Sequence, residues 1–248
     1  MYDKISDKYS NITEDTGLLS SIVPRNYEDK VETHDVRNHI KWLIPGSNIS
    51  RLTDQDVHAG ALFANGKNKY DVIFLGHQEY VTQQEYDNLK RFVANGGILF
   101  LLDGNTFYAE VKYDKNSNSI SLVKGHYWEF DGNSAWRSVE ERWANETSKW
   151  VGSNFLCCWS LKIKFNNDPF GINHDEEQHI TNPKAKILLD YNATEDEPNP
   201  RKFTVATYEL DYKNGKVIVL GPYTDHLKND KDRFWRFLDS LIYRYAWQ

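Results

Sequence analysis

The sequence predicts an α/β fold in which a mostly parallel sheet carries helices on both faces, and three observations lead to this prediction. Apolar runs at 72–75, 98–102 and 216–220 do not alternate with polar residues, as expected for strands covered on both faces. A helical apolar pattern lies between the first two runs, with Thr82 able to cap its start and 95–97 (Asn-Gly-Gly) able to end it. The chain of 248 residues is 40% hydrophobic, which is enough to bury one large core.

The other elements follow from similar signals of periodicity, capping and turn chemistry. In chain order they are a helix over 34–43, a short strand near 49–52, a helix starting at Thr53 or Asp54, a hairpin over 110–124 with its turn at 114–118, an acidic helix over 133–150, strands at 185–190 and 203–210, and a last helix from 230 to about 247. Residues 1–32 are polar and weakly periodic. We therefore expect an N-terminal extension over 1–32 and one domain over 33–248.

The composition limits the kinds of partner that we expect for this protein. The formal net charge is −6 and no long Lys/Arg run occurs, which argues against nucleic acid or an anionic membrane as principal partner. The first 25 residues lack the apolar stretch of a signal peptide, and no apolar run approaches the ~20 residues of a membrane span. The two cysteines, Cys157 and Cys158, are adjacent and provide no disulfide framework. These features predict a cytoplasmic protein.

Polar residues follow the first two predicted parallel strands. The loop 77–80 (His-Gln-Glu-Tyr) follows one strand, and the loop 103–108 (Asp-Gly-Asn-Thr-Phe-Tyr) follows the other. In a right-handed βαβ unit both loops lie at the carboxyl edge of the sheet, where sites in such folds form. We expect a small-ligand site there.

At these residues the chain resembles a known family. The EYVT loop at 79–82, the Gly-Gly-strand-Gly-Asn-x-x-Tyr unit at 96–108, the segment FDGNSAWR at 130–137 and an H-x-E at 174–176 resemble the catalytic domain at the carboxyl end of the large subunit of N,N-dimethylformamidase. The resemblance covers about residues 33–248. It implies a class I glutamine amidotransferase-like fold, that is, a flavodoxin-like three-layer sandwich, and an amidohydrolase activity on a small amide.

The resemblance also implies a metal site. In that family two tyrosines and one glutamate hold a mononuclear ferric ion (Fe3+), and a histidine lies nearby. The matching positions are Tyr80, Tyr108 and Glu176 as ligands and His174 as the catalytic residue, with Glu177 as an alternative to Glu176. The expected substrate-binding residues are His77, Glu79, Asn105, Trp136, Arg137 and His226. His77 and Glu79 either orient a ligand or hydrogen-bond their own loop.

The chemistry of these residue types agrees with that site. Phenolate and carboxylate are hard oxygen donors, which suit a hard, highly charged cation. A bound cation lowers the ordinary tyrosine pKa of ~10, so that the phenolate can bind. His174 could accept a proton from the attacking water and pass it to the departing amine. The turn at 103–105 holds no Cys, Ser or Thr, which excludes a Cys-dependent glutamine amidotransferase.

Two other function classes remain open at this stage. One is a non-catalytic module that binds a small polar ligand at the sheet edge. The other is an assembly component whose contact surface includes Trp136, Trp143 and Trp150, although tryptophans at this heptad spacing more often belong to a core. A homo-oligomer or a separate small subunit is the expected protein partner. Asn133, where relatives are expected to carry Glu, leaves the substrate open.

Overall fold

The structure is a computed structural model that describes residues 31–76, 78, 80–102, 106–114, 116, 119–125, 142–156, 163–165, 168–172, 177–180, 182–192, 204–220 and 231–246. Its helices are α1 (Val31–Leu43), α2 (Asp54–His58), α3 (Gln83–Ala94), α4 (Ala144–Trp150) and α5 (Lys231–Ala246). None of the helices in these ranges is both long enough and apolar enough to span a membrane.

The strands form three sheets in the described ranges. They are β1 (Phe63–Ala64), β2 (Lys67–Asn68), β3 (Val72–Leu75), β4 (Tyr80–Val81), β5 (Ile98–Leu101), β6 (Ala109–Asp114), β7 (Ser119–Lys124), β8 (Ser153–Leu156), β9 (Ile163–Phe165), β10 (Asp168–Ile172), β11 (Glu177–Ile180), β12 (Lys186–Asn192), β13 (Thr204–Tyr212) and β14 (Gly215–Leu220). The main sheet has the order β10-β9-β12-β13-β14-β5-β3, with β11 paired to β13 and β8 to β11. The strands β4, β6 and β7 form a smaller sheet, and β1 pairs with β2.

The prediction of a mostly parallel sheet was wrong, and with it the flavodoxin-like sandwich. Within the main sheet only the pairs β14–β5 and β3–β5 are parallel, and the other described pairs are antiparallel. One reason is the tight turn at Lys213 and Asn214, because strands joined by two residues can pair only as a hairpin. Continuous apolar runs indicate burial on both faces, but they do not report the direction of the next strand.

The predicted βαβ unit itself is confirmed. Strands β3, β5 and β14 are adjacent and parallel, with Val72 and Lys216 both in register with Ile98. Alternate residues of β5 enter two different cores. Leu99 and Leu101 pack with α3, whereas Phe100 packs with α5 on the opposite face. Helices therefore cover both faces of this three-stranded part, and its carboxyl edge is where the two exit loops begin.

The predicted helix starts are also confirmed. The Thr82 hydroxyl caps α3 by accepting the Glu85 backbone N–H at 3.1 Å. Thr53 caps α2, and the Asp56 carboxylate accepts the Thr53 backbone N–H in return, which forms a capping box. The predicted short strand at 49–52 was wrong, because these residues form neither helix nor strand.

Two further predictions concern the middle of the chain. The hairpin over 110–124 is confirmed as β6 and β7. Of the helix predicted over 133–150, the described part is α4, which begins only at Ala144. Trp143 and Trp150 are buried, so these two rings belong to the core and cannot serve as an assembly surface. Trp136 lies outside the described residues.

Candidate functional site

Two loops at the carboxyl edge of the parallel strands are joined to each other. Strand β4, in the loop after β3, runs parallel to β6, with Tyr80 opposite Ala109. Two residues before this pairing, the Phe107 backbone N–H donates to the Gln78 carbonyl at 2.8 Å. Neighbouring strand backbones lie about 4.8 Å apart. The backbones of Tyr80 and Tyr108 are therefore neighbours, offset by one residue along the two strands.

The backbone of Tyr108 is held closely on the side away from this loop. Its carbonyl accepts the Arg142 backbone N–H at 2.7 Å. Gly125 also lies against it, because a Cβ placed on Gly125 would sit 2.5 Å from the Tyr108 carbonyl oxygen. The Tyr108 residue is only 1% exposed, whereas Tyr80 is half-buried.

The residue before Tyr108 has an unusual backbone conformation. Phe107 has φ of +59°, in the left-handed region that aromatic residues rarely adopt. Its ring packs edge-on against Tyr86, with centroids 5.4 Å apart, and stacks on Trp150 at 5.5 Å. Packing of the ring on both sides stabilises a conformation that an isolated chain would avoid.

Tyr86 is the centre of this aromatic cluster, which also contains Trp143 and ties α3 to α4. Its ring stacks on Trp143 with centroids 4.3 Å apart, and its hydroxyl accepts the Trp150 indole N–H at 2.8 Å and bonds Thr147 Oγ1 at 3.0 Å. Burial raises the pKa of Tyr86 above its ordinary value. Tyr86 is therefore a neutral structural phenol and a poor candidate for a metal-binding phenolate.

Gln78 connects the first loop to two buried or partly buried carboxyl groups. Its side-chain amide donates to Asp54 Oδ1 at 3.3 Å and to Glu85 Oε1 at 3.2 Å. Burial, followed by the neighbouring Asp54 charge, raises the pKa of Glu85 well above its ordinary value. Burial of the carboxyl group also raises the pKa of Asp54, although the residue as a whole remains exposed and its hydrogen bond with Gln78 acts in the opposite direction.

Helix α2 reaches this position because it docks on α3 through polar contacts. His58 Nδ1 and Thr82 Oγ1 lie 2.7 Å apart, and the Asn88 amide donates to the Val57 carbonyl at 2.8 Å. Asn88 is 2% exposed, so this contact is enclosed by protein. Docking of α2 brings Asp54, at its first turn, to Gln78 and Glu85.

Of the residues predicted for the site, the structure describes the two tyrosines. The others lie outside the described residues: His77, Glu79, Asn105, Trp136, Arg137, His174, Glu176 and His226. The alternative ligand Glu177 is described by its backbone alone, which begins β11 opposite Leu156 of β8. Within the described ranges, no three His, Cys, Asp or Glu side chains are grouped as a metal site.

Sequence reasoning missed the Gln78, Asp54 and Glu85 contacts. Glu85 occupies the third position after the cap Thr82, where a glutamate normally signals only a helix start. Asp54 similarly begins α2. No local pattern indicates that two helix starts will meet at one glutamine, because the contact joins positions 24 residues apart in the chain.

The donor chemistry at the loop pair fits a hard cation. The two segments bring two tyrosines to this edge, and phenolate is a hard oxygen donor, although the residue in register with Tyr80 is Ala109 and Tyr108 is offset by one residue.

Comparison with protein families relates this chain to one of them. The chain belongs to the N,N-dimethylformamidase beta subunit-like, C-terminal family, whose model matches residues 3–225. The predicted relation to N,N-dimethylformamidase is thereby confirmed. No curated protein shows significant similarity to the chain.

Solved structures similar to this chain share little sequence with it. Cytoplasmic Protein STM1381 from Salmonella typhimurium LT2 is 11% identical, with 86% of this chain and 88% of that chain covered and a TM-score of 0.50. The beta-galactosidase from Rahnella sp. R3 is 14% identical, with 90% and 28% covered and a TM-score of 0.48. The GH42 beta-galactosidase Gan42B from G. stearothermophilus is 15% identical, with the same coverage and a TM-score of 0.47. The chain thus spans less than a third of these two galactosidases, and the similarity to STM1381 concerns the fold alone.

Proposed function

We propose that this protein hydrolyses a small amide at a mononuclear iron site whose ligands are Tyr80, Tyr108 and Glu176. Membership of the N,N-dimethylformamidase beta subunit-like family supports the reaction class. The observation that carries the proposal within this chain is the parallel pairing of the two tyrosine-bearing segments, Tyr80 opposite Ala109. Two phenolates and a carboxylate would balance the charge of a ferric ion.

When bound, the ion would supply Lewis acidity to the amide carbonyl and to the attacking water. In this proposal His174 accepts the proton of that water and delivers it to the departing amine. Water adds to the carbonyl carbon, the C–N bond breaks, and the products are a carboxylic acid and an amine. Neither Cys157 nor Cys158 has a role. The residues assigned to substrate orientation are His77, Glu79, Asn105, Trp136, Arg137 and His226.

In this proposal, iron binding requires deprotonation of the two tyrosine phenols. Each phenol must lose its proton to bind, so iron uptake releases protons and the affinity falls as the pH is lowered. The family name refers to a beta subunit, which supports a separate partner chain in the active assembly.

Amine release from small amides tests the activity. Iron-loaded wild-type protein is expected to release dimethylamine from N,N-dimethylformamide, and His174→Gln is expected to lose about 10²-fold or more of that rate. His39→Gln is the control. It makes the same change at a histidine that pairs with Asp239 between α1 and α5, and α5 lies on the face of the sheet opposite α3. Equal rates with and without iron would contradict the proposal. Binding of the amide without amine release would favour a non-catalytic ligand-binding protein.

A further inference from the structure

We propose that Gln78 is a positioning residue that fixes the spacing between Tyr80 and Tyr108. The inference rests on the proposed role of these two tyrosines as iron ligands and names the contact that holds them in place. Gln78 lies two residues before Tyr80 and contacts the residue immediately before Tyr108. It therefore acts on both predicted ligands from one position.

The backbone of Gln78 provides the first contact. Its carbonyl accepts the Phe107 N–H at 2.8 Å, and the next contact along the two segments is the pairing of Tyr80 with Ala109. Phe107 and Ala109 flank Tyr108. The segment that carries Tyr108 is thus attached to the Tyr80 loop both immediately before and immediately after this residue.

The side chain of Gln78 provides the second contact. Gln78 is 9% exposed, and its amide nitrogen has two hydrogens, which are directed to one carboxyl oxygen of Asp54 on α2 and one of Glu85 on α3. The loop is thereby attached to the starts of two helices. Loss of the amide would leave two carboxyl groups without this donor, one of them in the 2% exposed Glu85, and a buried acceptor without a donor destabilises the structure around it.

The conformation of Phe107 makes the Tyr108 segment sensitive to this attachment. A non-glycine residue at φ of +59° is strained and persists only where its surroundings hold it. Here the holding contacts are the Gln78 carbonyl on the backbone and the rings of Tyr86 and Trp150 on the side chain. If the loop at Gln78 moved, Phe107 could return to an ordinary negative φ, which would rotate the backbone that leads into Tyr108.

Even a small rotation of this backbone would shift the Tyr108 oxygen and change the affinity for a metal ion. Oxygen ligands of one ion lie about 2 Å from it, and changes in residues that orient ligands typically cost 10–100-fold in metal affinity. Gln78 needs no contact with the ion to have this effect. Its substitution should change the metal site through the two tyrosines.

Hydrogen exchange in the metal-free protein tests the positioning directly. Gln78→Met has similar size but no donor, and Gln55→Met makes the same chemical change at an exposed position of α2. We expect the amides of Phe107 and Ala109 to exchange at least about tenfold faster in Gln78→Met, with β14 unchanged, and to be unaffected in Gln55→Met. Gln78→Asn, which keeps an amide too short to reach both carboxyls, should show the same local effect if Gln78→Met does not fold. Unchanged exchange at both amides would overturn the proposal.

Iron titration then tests the link to the ligands. The iron dissociation constant of folded Gln78→Met or Gln78→Asn should rise about 10–100-fold, with a shifted iron–phenolate absorption band, whereas Gln55→Met should match wild type. An unchanged affinity and band in the Gln78 variants would overturn the proposal even if exchange increases. If wild-type protein itself bound no iron, the proposed function would fail, and the exchange result alone would decide whether Gln78 fixes the two segments.

Discussion

The parallel and antiparallel parts of the main sheet are stabilised in different ways. In the parallel part, successive residues of β5 enter opposite cores, and Phe100 and Leu99 are both fully buried. In the antiparallel part, β12 leaves Ile187 48% exposed, and the Glu209 carboxylate of β13 lies within ion-pair distance of Lys186 and Lys216. Apolar cores cover both faces of the first part, whereas the second combines the buried Tyr208 and Leu210 of β13 with exposed and ion-paired positions.

The candidate site adjoins the part of the sheet that is covered on both faces. Both tyrosine-bearing loops leave the carboxyl ends of β3 and β5, which are strands of the part covered on both faces. Strands that are packed on both faces give these loops a rigid base. Gln78 and Phe107 then connect the two loops to each other.

The largest effect should come from deleting a ring in the parallel part. Phe100 is fully buried and stacks on Phe74 with centroids 4.6 Å apart. Phe100→Ala should lower the free energy of unfolding by about 3–5 kcal/mol in urea denaturation, because a cavity remains between the sheet and α5. Ile187→Ala, in the antiparallel part, should change it by less than about 0.5 kcal/mol. Similar losses in the two variants would remove the contrast between the parts.

A smaller effect is expected from one hydroxyl in the antiparallel part. The buried Tyr208 hydroxyl donates to the Val151 carbonyl at 2.9 Å and is hydrogen-bonded to Ser153 Oγ at 2.6 Å. Tyr208→Phe keeps the ring and should cost about 1–3 kcal/mol, because two buried polar atoms lose a partner. Thermal unfolding would measure it, with Tyr243→Phe, an exposed tyrosine of α5, as the matched change. A loss as small as that of the control would mean that polar contacts contribute little here.

The smallest expected effect is on the pH dependence of stability. It comes from Glu85, whose carboxyl group accepts the Gln78 amide. The pKa of Glu85 is raised well above its ordinary value of 4.5 by burial and by Asp54. Between these two values the folded state binds more protons than the unfolded state, so this stabilisation is complete below about pH 4.5 and is lost as the pH rises through the raised pKa. Glu85→Gln should therefore flatten the decline of stability with rising pH. Asp87→Asn, at an exposed position of the same helix, should retain it; equal slopes in wild type and Glu85→Gln would contradict the prediction.

Local signals in the sequence were sufficient for part of the fold. A few neighbouring residues are enough to predict the caps Thr53 and Thr82 and the apolar runs of β3, β5 and β14. The direction of a strand cannot be predicted in this way, because it depends on which distant segments pair. Strand β13, for example, pairs with β11, β12 and β14, and this arrangement leaves no periodic mark on its own residues.

The candidate site likewise has features that the sequence predicts and features that it does not. Adjacency of the two tyrosine-bearing loops could be predicted, since it follows from the right-handed crossover of one βαβ unit. The positive φ of Phe107 could not, because aromatic residues rarely adopt it and only the packing against Tyr86 and Trp150 stabilises it here. Glu176 and His174 remain predictions from family resemblance.

Iron content and colour of the purified protein test the central proposal most directly. Protein reconstituted with iron is expected to hold about one iron per chain and to absorb visible light through phenolate-to-iron charge transfer. Tyr80→Phe and Tyr108→Phe should each weaken or shift that band, whereas Tyr113→Phe, a half-buried tyrosine further along β6, should leave it unchanged. A colourless wild-type protein without bound iron, or a band unaffected by either site substitution, would contradict the assignment of Tyr80 and Tyr108 as ligands.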